Sequence, residues 1–517
     1  MIHGIDDFIE ADVLELKESC GYSALNIMEG PLLAGMKEVG KRFDRGAMYL
    51  PQVLRSAMVM KKAAAVLEPY MAKSKSNISH KIILATVKGD VHDIGKNIAA
   101  MVLSCNGYQI IDLGVMVPAD KVIEAAEREQ AVIIGLSALI SPSLDEMVNV
   151  AQKMEERKMT IPLLVGGAAT SLIHTSLRLV PEYSGPVIHV PNAGKAVETV
   201  RALLSETDCP GFLHTLEKKY LDAAEQHKTI QSRIEIIPIE AARANKTLAA
   251  YTPCKPAATG IIELNNYPLE RIIPHIDWEA LLHKKVTVTI LDDVQALLER
   301  VKNEGILQLR GVVGFFPAVA DNDDIKIGDS HRFCFLRSQL KKPEGMFNTC
   351  LADFIAPQND WLGLFALSAG FGMDSAAGIF KSNHDEYRAL LLSNLANALA
   401  EAFSEEIHLR CQQEWWGCAA SKDSPVGIRP AFGYPACPDH EDKRIAFDLL
   451  EAEQRCGLQL TETAMIIPSA SVCGMYFANP SAHYFGIGSI GEDQLTDWAE
   501  RKGISIDEAR QRAGHIN

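Results

Sequence analysis

Between residues 88 and 98 the chain reads KGDVHDIGKNI, an Asp-x-His-x-x-Gly spacing (Asp90, His92, Gly95) directly after a run of apolar residues. Three roles are open to an imidazole there: general base, metal ligand, or a histidine simply hydrogen-bonded into the structure, the usual state of a lone histidine beside a carboxylate. Asp90 can accept from one ring nitrogen and leave the other for a metal, which fixes a ligand's tautomer and tunes its basicity. Two more loops are rich in ligand-ready groups. LSALISPSLDE carries hydroxyls at Ser137, Ser141 and Ser143, and GGAAT places Gly166 beside Gly167, where a ligand can approach the backbone. Much later, GIRPAFGYPACPDH (427–440) sets three prolines and two glycines around Arg429. A rigid loop presenting one guanidinium suits the carboxylate of a small zwitterion. Asp277, in HIDWEALL, reads by itself as a helix cap.

These groups need elements to hold them. Residues 1–72 carry helical periodicity, with Leu32, Met36, Val39 and Phe43 on one stripe and Val53, Ala57, Met60, Ala64 and Leu67 on another. Such helices form a small bundle that caps something. After the polar KSKSNISH, five short β-branched runs (81–87, 108–114, 131–137, 162–167, 186–190) alternate with helix-compatible stretches (95–105, 118–129, 142–158, 170–178, 193–205). That alternation predicts a parallel, doubly wound sheet covered on both faces, with its ligand at the carboxyl ends of the strands. The first strand is not followed by G-x-G-x-x-G, which argues against a dinucleotide. A connecting helix is expected near 208–235. Beyond it the pattern is α+β: strand-like KVTVTILDD and LRGVVGFFPA, a long helix over 384–411, and a hairpin in ASVCGMYFANPSAHYFGIGSI.

Composition bounds the function class. The 517 residues suffice for two to four domains, and a net charge of −15 argues against a nucleic-acid partner, which needs a basic face. Eleven cysteines without a C-x-x-C pair make poor material for a zinc or iron–sulfur site and fit free thiols in a reducing cytosol. No apolar run approaches a membrane span and the N-terminus is acidic, so a cytoplasmic protein without a membrane partner is expected.

Taken together, Asp90, His92 and Gly95 with Ser137–Glu146 and Val165–Thr170, in that order and spacing, resemble the signature of cobalamin-binding domains. The resemblance implies a flavodoxin-like (Rossmann-like) fold in which His92 ligates cobalt from below and the displaced nucleotide tail slots beside the serine and glycine loops. It implies cobalamin contacts from Gly89, Asp90, Val91, His92, Asp93, Gly95, Ser137, Ser141, Gly166, Gly167 and Ala193, with Asp90 and Ser143 relaying protons to His92. Residues 29–57 resemble the helical cap of methyltransferase-type corrinoid proteins. By that likeness Phe43, Leu50 and Val53 shield the upper face and Glu29 contacts the corrinoid.

The third segment is similar to the activation domain of the cobalamin-dependent methionine synthase family, through Arg429, Gly433 and Tyr434 of R-x-x-x-G-Y together with HIDWEALL, RGVVGFFPA, CLADFIAP, LAEAF and GMYFANP. The resemblance implies an S-adenosylmethionine site in which Asp277 holds the ammonium and Arg429 the carboxylate, with Glu401, Ala431, Gly433, Tyr434, Tyr476 and Phe477 around them. The expected organisation is a helical cap (1–75, its first helix truncated), a cobalamin domain (76–210), a linker helix (211–235) and an activation domain (236–517). Likeness to the family further implies methyl transfer on methylcobalamin from methyltetrahydrofolate to homocysteine, and reductive remethylation with S-adenosylmethionine and a flavodoxin-like electron donor. The homocysteine and methyltetrahydrofolate barrels, and the zinc that belongs with them, are expected on a longer or separate chain. Two departures are modest: Ser141 stands where the family often has threonine, and the loop between EWWG and GIRP is short. A corrinoid methyl carrier acting in trans is the alternative, which the third segment disfavours. A cobalamin sensor lacks a basic recognition helix, and a radical enzyme lacks a cysteine triplet.

Overall fold

The computed structural model describes residues 2–513 except 45–47, 49, 71–79, 93, 140–142, 232–233, 248–250, 283–287, 383–384 and 418–425. The chain forms two compact units, residues 1–229 with 285–291, and 230–284 with 292–517.

In the first unit, helices α1 (Ile9–Glu18), α2 (Leu33–Asp44) and α3 (Leu50–Leu67) bury one another's apolar stripes. Val13, Ile27, Val59, Ala63 and Leu67 are all but inaccessible. The α/β part follows as β1 (Lys81–Thr86), α4 (Ile94–Cys105), β2 (Gln109–Asp112), α5 (Ala119–Glu129), β3 (Ile133–Ser137), α6 (Leu144–Glu156), β4 (Leu163–Gly166), β5 (Val187–His189), α7 (Ala193–Leu204) and the long α8 (Cys209–Gln231). All five strands pair in parallel in the order β2-β1-β3-β4-β5. Their near-continuous apolar runs are explained by burial on both faces, under helices whose inner faces supply Val122, Ile123, Met147, Val150 and Met154. Local signals agree: the Asn192 side chain caps α7 by accepting from the Lys195 N–H at 2.9 Å. With this order the chain reverses direction across the sheet between β1 and β3, so a crevice opens between the loops that follow those two strands.

The second unit is built on an antiparallel sheet. Its strands are β6 (Gly260–Glu263), β7 (Gln308–Asp321), β8 (Asp324–Ile327), β9 (His331–Cys334), β10 (Asp360–Phe371) and β11 (Ser471–Tyr476), in the order β11-β10-β7-β8-β9 with β6 beside β7. The long helix α10 (Glu386–Arg410) buries Leu392, Leu395, Leu399, Phe403 and Ile407. Phe333, Phe354, Leu362, Leu364, Met475 and Phe477 belong to one buried cluster. A fully buried guanidinium, Arg337, ties three loops together through Asp323, Asp353 and the Asn348 carbonyl, each at 2.7 Å. Among the described residues no helix is long and apolar enough to cross a membrane.

Two sequence expectations are corrected. KVTVTILDD is not a strand: the chain is helical from Val288 to Glu304 (α9), because Val294, Leu297, Leu298 and Val301 form a buried helical stripe that carries the β-branched start with it; residues 285–287 lie outside the described set. The expected hairpin is a single strand, β11. One of its edges pairs with β10, and the other is taken by the GIRPAF loop through bridges Ile428–Phe477 and Ala431–Gly474, so residues 484–490 have no edge to pair with.

Candidate functional site

The crevice at the β1–β3 reversal holds the Asp-x-His motif. Asp90 sits in the turn after β1 with no accessible surface, yet accepts four hydrogen bonds. One oxygen takes His92 Nδ1 at 2.7 Å and the His92 N–H at 2.9 Å; the other takes the Leu139 N–H at 2.5 Å and Ser143 Oγ at 3.3 Å. Burial pushes the Asp90 carboxyl up, but the bonds from the His92 ring and the Leu139 and His92 backbone outweigh it, and the group ends below its ordinary range. An ionised carboxylate only accepts, so Nδ1 of His92 donates to it, and in the neutral ring Nε2 then presents a lone pair. The His92 side chain is 34% exposed, and Nε2 has no hydrogen-bond partner among the described residues. Thr86 Oγ1 holds the His92 carbonyl at 3.0 Å, locking the loop.

The donor set fits a corrinoid, whose metal the His92 ring nitrogen would hold. Val115 and Leu139, 38% and 43% exposed, follow β2 and β3 and give an apolar surface at the strand ends, and the space over Gly95 is open, with nothing within 4 Å of where a Cβ would stand. Gly167 is constrained differently: at φ +110° a Cβ there would meet the Ala138 carbonyl oxygen at 2.1 Å. Gly167 therefore lets the loops after β3 and β4 close on each other. Gly89 and Val91 flank Asp90 in the same turn, and Ser137 ends β3 opposite Gly166. Val53 is buried in α3. Asp93 and Ser141, and the side chains of Glu29, Phe43, Leu50 and Ala193, lie outside the described residues. Sequence reading missed Lys96, buried in the first turn of α4, whose Nζ grips both oxygens of Asp112 at 2.5 Å. It also missed the Leu139 N–H, a backbone donor that no side-chain pattern can announce.

In the second unit a cavity of about 600 Å³ is lined by His275, Asp277, Ala280, Leu281, Asn394, Asn397, Ala398, Glu401, Ala402, Glu405 and Arg429. It thus gathers Asp277, Glu401 and Arg429 from three distant stretches. Asp277 keeps its capping role, accepting from the Ala280 N–H at 2.9 Å, while facing the cavity. From α10 comes a polar row, Asn394, Asn397, Glu401 and Glu405, at helical spacing. That row is a signal open to sequence reading, which picks out only Glu401. Arg429 is held by the GIRPAF loop, strapped to β11 by Ile428 N–H to Phe477 O at 3.2 Å and Met475 N–H to Pro430 O at 2.9 Å. Its own N–H donates to Tyr484 Oη at 3.0 Å. Ala431 pairs with Gly474. Gly433, at φ +93°, has the His440 ring 2.2 Å from the position of a Cβ, so no side chain fits. Half-exposed Tyr434 is raised by burial and then by the Glu401 carboxylate, which places the two together.

Neither Tyr476 nor Phe477 is among the residues that line this cavity. Strand alternation sends Phe477 into the core with Cys473 and Met475, against Phe354. Tyr476 faces the other way, stacked between Phe365 at 4.6 Å and His408 at 5.3 Å, its buried hydroxyl without a hydrogen-bond partner among the described residues. His408 underlies Arg429, and burial followed by the Arg429 cation pushes it down to about 4, so it is neutral. Three carboxylates and one guanidinium around the cavity complement a ligand with an excess of positive charge and one carboxylate.

Comparison with known proteins agrees with this geometry. Residues 267–503 match the family "Vitamin B12 dependent methionine synthase, activation domain". Two B12 binding domain families match residues 80–183 and 1–68. The solved MetH reactivation domain bound to AdoHcy is 34% identical, with a TM-score of 0.50, over 54% of this chain and 97% of that one. Weaker likeness is found to a cobalamin-binding protein from Desulfitobacterium hafniense DCB-2 (24% identity, TM-score 0.33, 38% of this chain and 91% of that one). The methanol:cobalamin methyltransferase complex MtaBC from Methanosarcina barkeri is similar at 25% identity and TM-score 0.36, over 41% of this chain and 81% of that one. Fold and site together define a cobalamin-binding protein that also carries an activation domain. The chain belongs to the cobalamin-dependent methionine synthase family, with the domains of its C-terminal half.

Proposed function

We propose that this chain carries the cobalamin of methionine synthesis and restores it after inactivation. When bound, the corrinoid supplies a cobalt that takes a methyl group from methyltetrahydrofolate for homocysteine, and regains one from S-adenosylmethionine with an electron from a flavodoxin-like donor. The observation that carries the reading is the buried Asp90 carboxylate at the β1–β3 crevice, which keeps the proton on His92 Nδ1 and aims Nε2 outward as a ligand. Asp90, with Ser143 and the Leu139 N–H, sets how strongly His92 donates and how readily it lets go. Phe43, Leu50 and Val53 of the 1–75 cap would shield the bound corrinoid from water, and Glu29 would contact it. Gly89, Val91, Asp93, Gly95, Ser137, Ser141, Gly166, Gly167 and Ala193 of the 76–210 domain would contact the cobalamin, its nucleotide tail lying beside the serine and glycine loops. Residues 211–235 link it to the 236–517 activation domain.

There, Arg429 takes the carboxylate of S-adenosylmethionine, Asp277 its ammonium, and Glu401 offsets the sulfonium charge. Ala431, Gly433 and Tyr434 shape the loop beside them. Support comes from the cavity that unites Asp277, Glu401 and Arg429, and from the likeness to a reactivation domain solved with AdoHcy. The test is the visible spectrum of the full chain with methylcobalamin, repeated with His92→Gly. A histidine-ligated spectrum that becomes base-off in the variant is expected. Identical spectra in both proteins would make His92 structural and remove the basis of the reading.

A further inference from the structure

Arg429 does not reach the cavity alone. Its Nη1 donates to Glu405, one turn along α10 from Glu401, and the same nitrogen lies 3.4 Å from His408 Nδ1. Gln412 Nε2 lies 2.9 Å from His408 Nε2 and donates to the Val426 carbonyl, so the imidazole is fixed from its far side as well as by its stack on Tyr476. By contrast, Nε and Nη2 of Arg429 have no hydrogen-bond partner among the described residues. Those two nitrogens form the edge that forks a carboxylate through two parallel bonds. A guanidinium on four rotatable bonds offers that edge in one direction only if its remaining nitrogen is held.

We propose that Glu405 is the positioning residue of this site: by holding Nη1 against His408 it turns the free edge of Arg429 toward the cavity and so selects ligands that carry a carboxylate. The inference rests on the S-adenosylmethionine reading above. His408 contributes because it is neutral and can lie against the cation without repelling it; burial and the neighbouring Arg429 keep it so. Glu405 itself need not touch the ligand.

Calorimetric titration of the full chain with S-adenosylmethionine and with its decarboxylated analogue, which keeps the adenosyl, sulfonium and ammonium groups, tests this. Glu405→Ala is expected to weaken S-adenosylmethionine roughly tenfold, the size of one charge-assisted hydrogen bond, and to leave the analogue within about twofold. Glu405→Gln keeps an acceptor oxygen and should recover part of the loss. Simple removal of negative charge gives the reverse pattern, because the analogue is the more cationic ligand. Equal weakening of both ligands would make Glu405 a general structural or charge element. Tighter binding of S-adenosylmethionine would make it a competitor for Arg429. Either result overturns the proposal while leaving the site assignment standing. If the unaltered chain binds neither ligand, the S-adenosylmethionine reading fails and this inference with it.

Discussion

Asp90 and His408 show how burial acts in opposite directions on two groups that both stay functional. Asp90 remains ionised because four donors replace its lost water, at a position where an unpaired carboxylate would protonate. Replacing it with asparagine removes the acceptor charge that fixes the His92 tautomer. We expect Asp90→Asn to keep cobalamin bound but to favour the histidine-off form, read as a changed visible spectrum across pH; an unchanged series would contradict the relay. His408 is held neutral, with a folded value near 4 against an ordinary 6.5. A histidine lowered in this way binds its proton more readily when unfolded, so its contribution is complete above 6.5 and is lost as pH falls toward 4. About 3 kcal/mol of stability should disappear across that window. Denaturation followed by tryptophan fluorescence at about pH 7 and about pH 5 reads the part lost by then, about 2 kcal/mol, and His408→Gln should flatten the difference.

At the level of elements, the parallel sheet owes its order to continuous apolar strands, and its closed loops to one glycine. Gly167→Ala places a Cβ against the Ala138 carbonyl at a backbone angle only glycine adopts easily, and should cost about 2–4 kcal/mol. Loss of far-UV circular dichroism at lower denaturant, with reduced cobalamin retention, is the expected result. In the second unit the buried Arg337 hub is the sensitive point. Arg337→Met leaves Asp323 and Asp353 without their shared cation and should cost about 3–5 kcal/mol, seen as a lower urea midpoint. The elements hardest to read from sequence are those settled by neighbours. Residues 288–293 look like a strand until the downstream helical stripe is counted, and the second arm of the expected hairpin loses its place to the GIRPAF loop. Tyr476 and Phe477, adjacent in sequence, look like one pair, whereas strand alternation sends them to opposite faces.

Across the whole molecule, each compact unit carries one of the two candidate sites, the Asp90–His92 crevice at strand ends and the cavity beside α10. All five tryptophans (Trp278, Trp361, Trp415, Trp416, Trp498) fall in residues 230–517, so their fluorescence reports on that part of the chain. S-Adenosylmethionine at about a hundredfold over its Kd should raise the stability read by that signal by about 2.7 kcal/mol. No shift at saturating ligand would argue against the site. The net charge of −15 sets a condition on any acidic electron donor, which must find a local basic patch and bind more weakly as salt shortens that attraction.

Asp277, Glu401, Arg429 and Ser143 stand out as site residues only through the resemblance to the family, whereas the five-strand alternation and the Asp90–His92 pair at a strand end are determined by the sequence itself. These are local properties: periodicity, punctuation by glycine and proline, and residue types at short spacing. Only the tertiary structure decided that the Leu139 N–H completes the Asp90 cage, that Asn394, Asn397 and Glu405 join Asp277, Glu401 and Arg429 around one cavity, and that Glu405 holds the arginine. Those contacts join residues many positions apart or use backbone donors, and packing of strands and helices against one another, which no short stretch encodes, brings them within bonding distance.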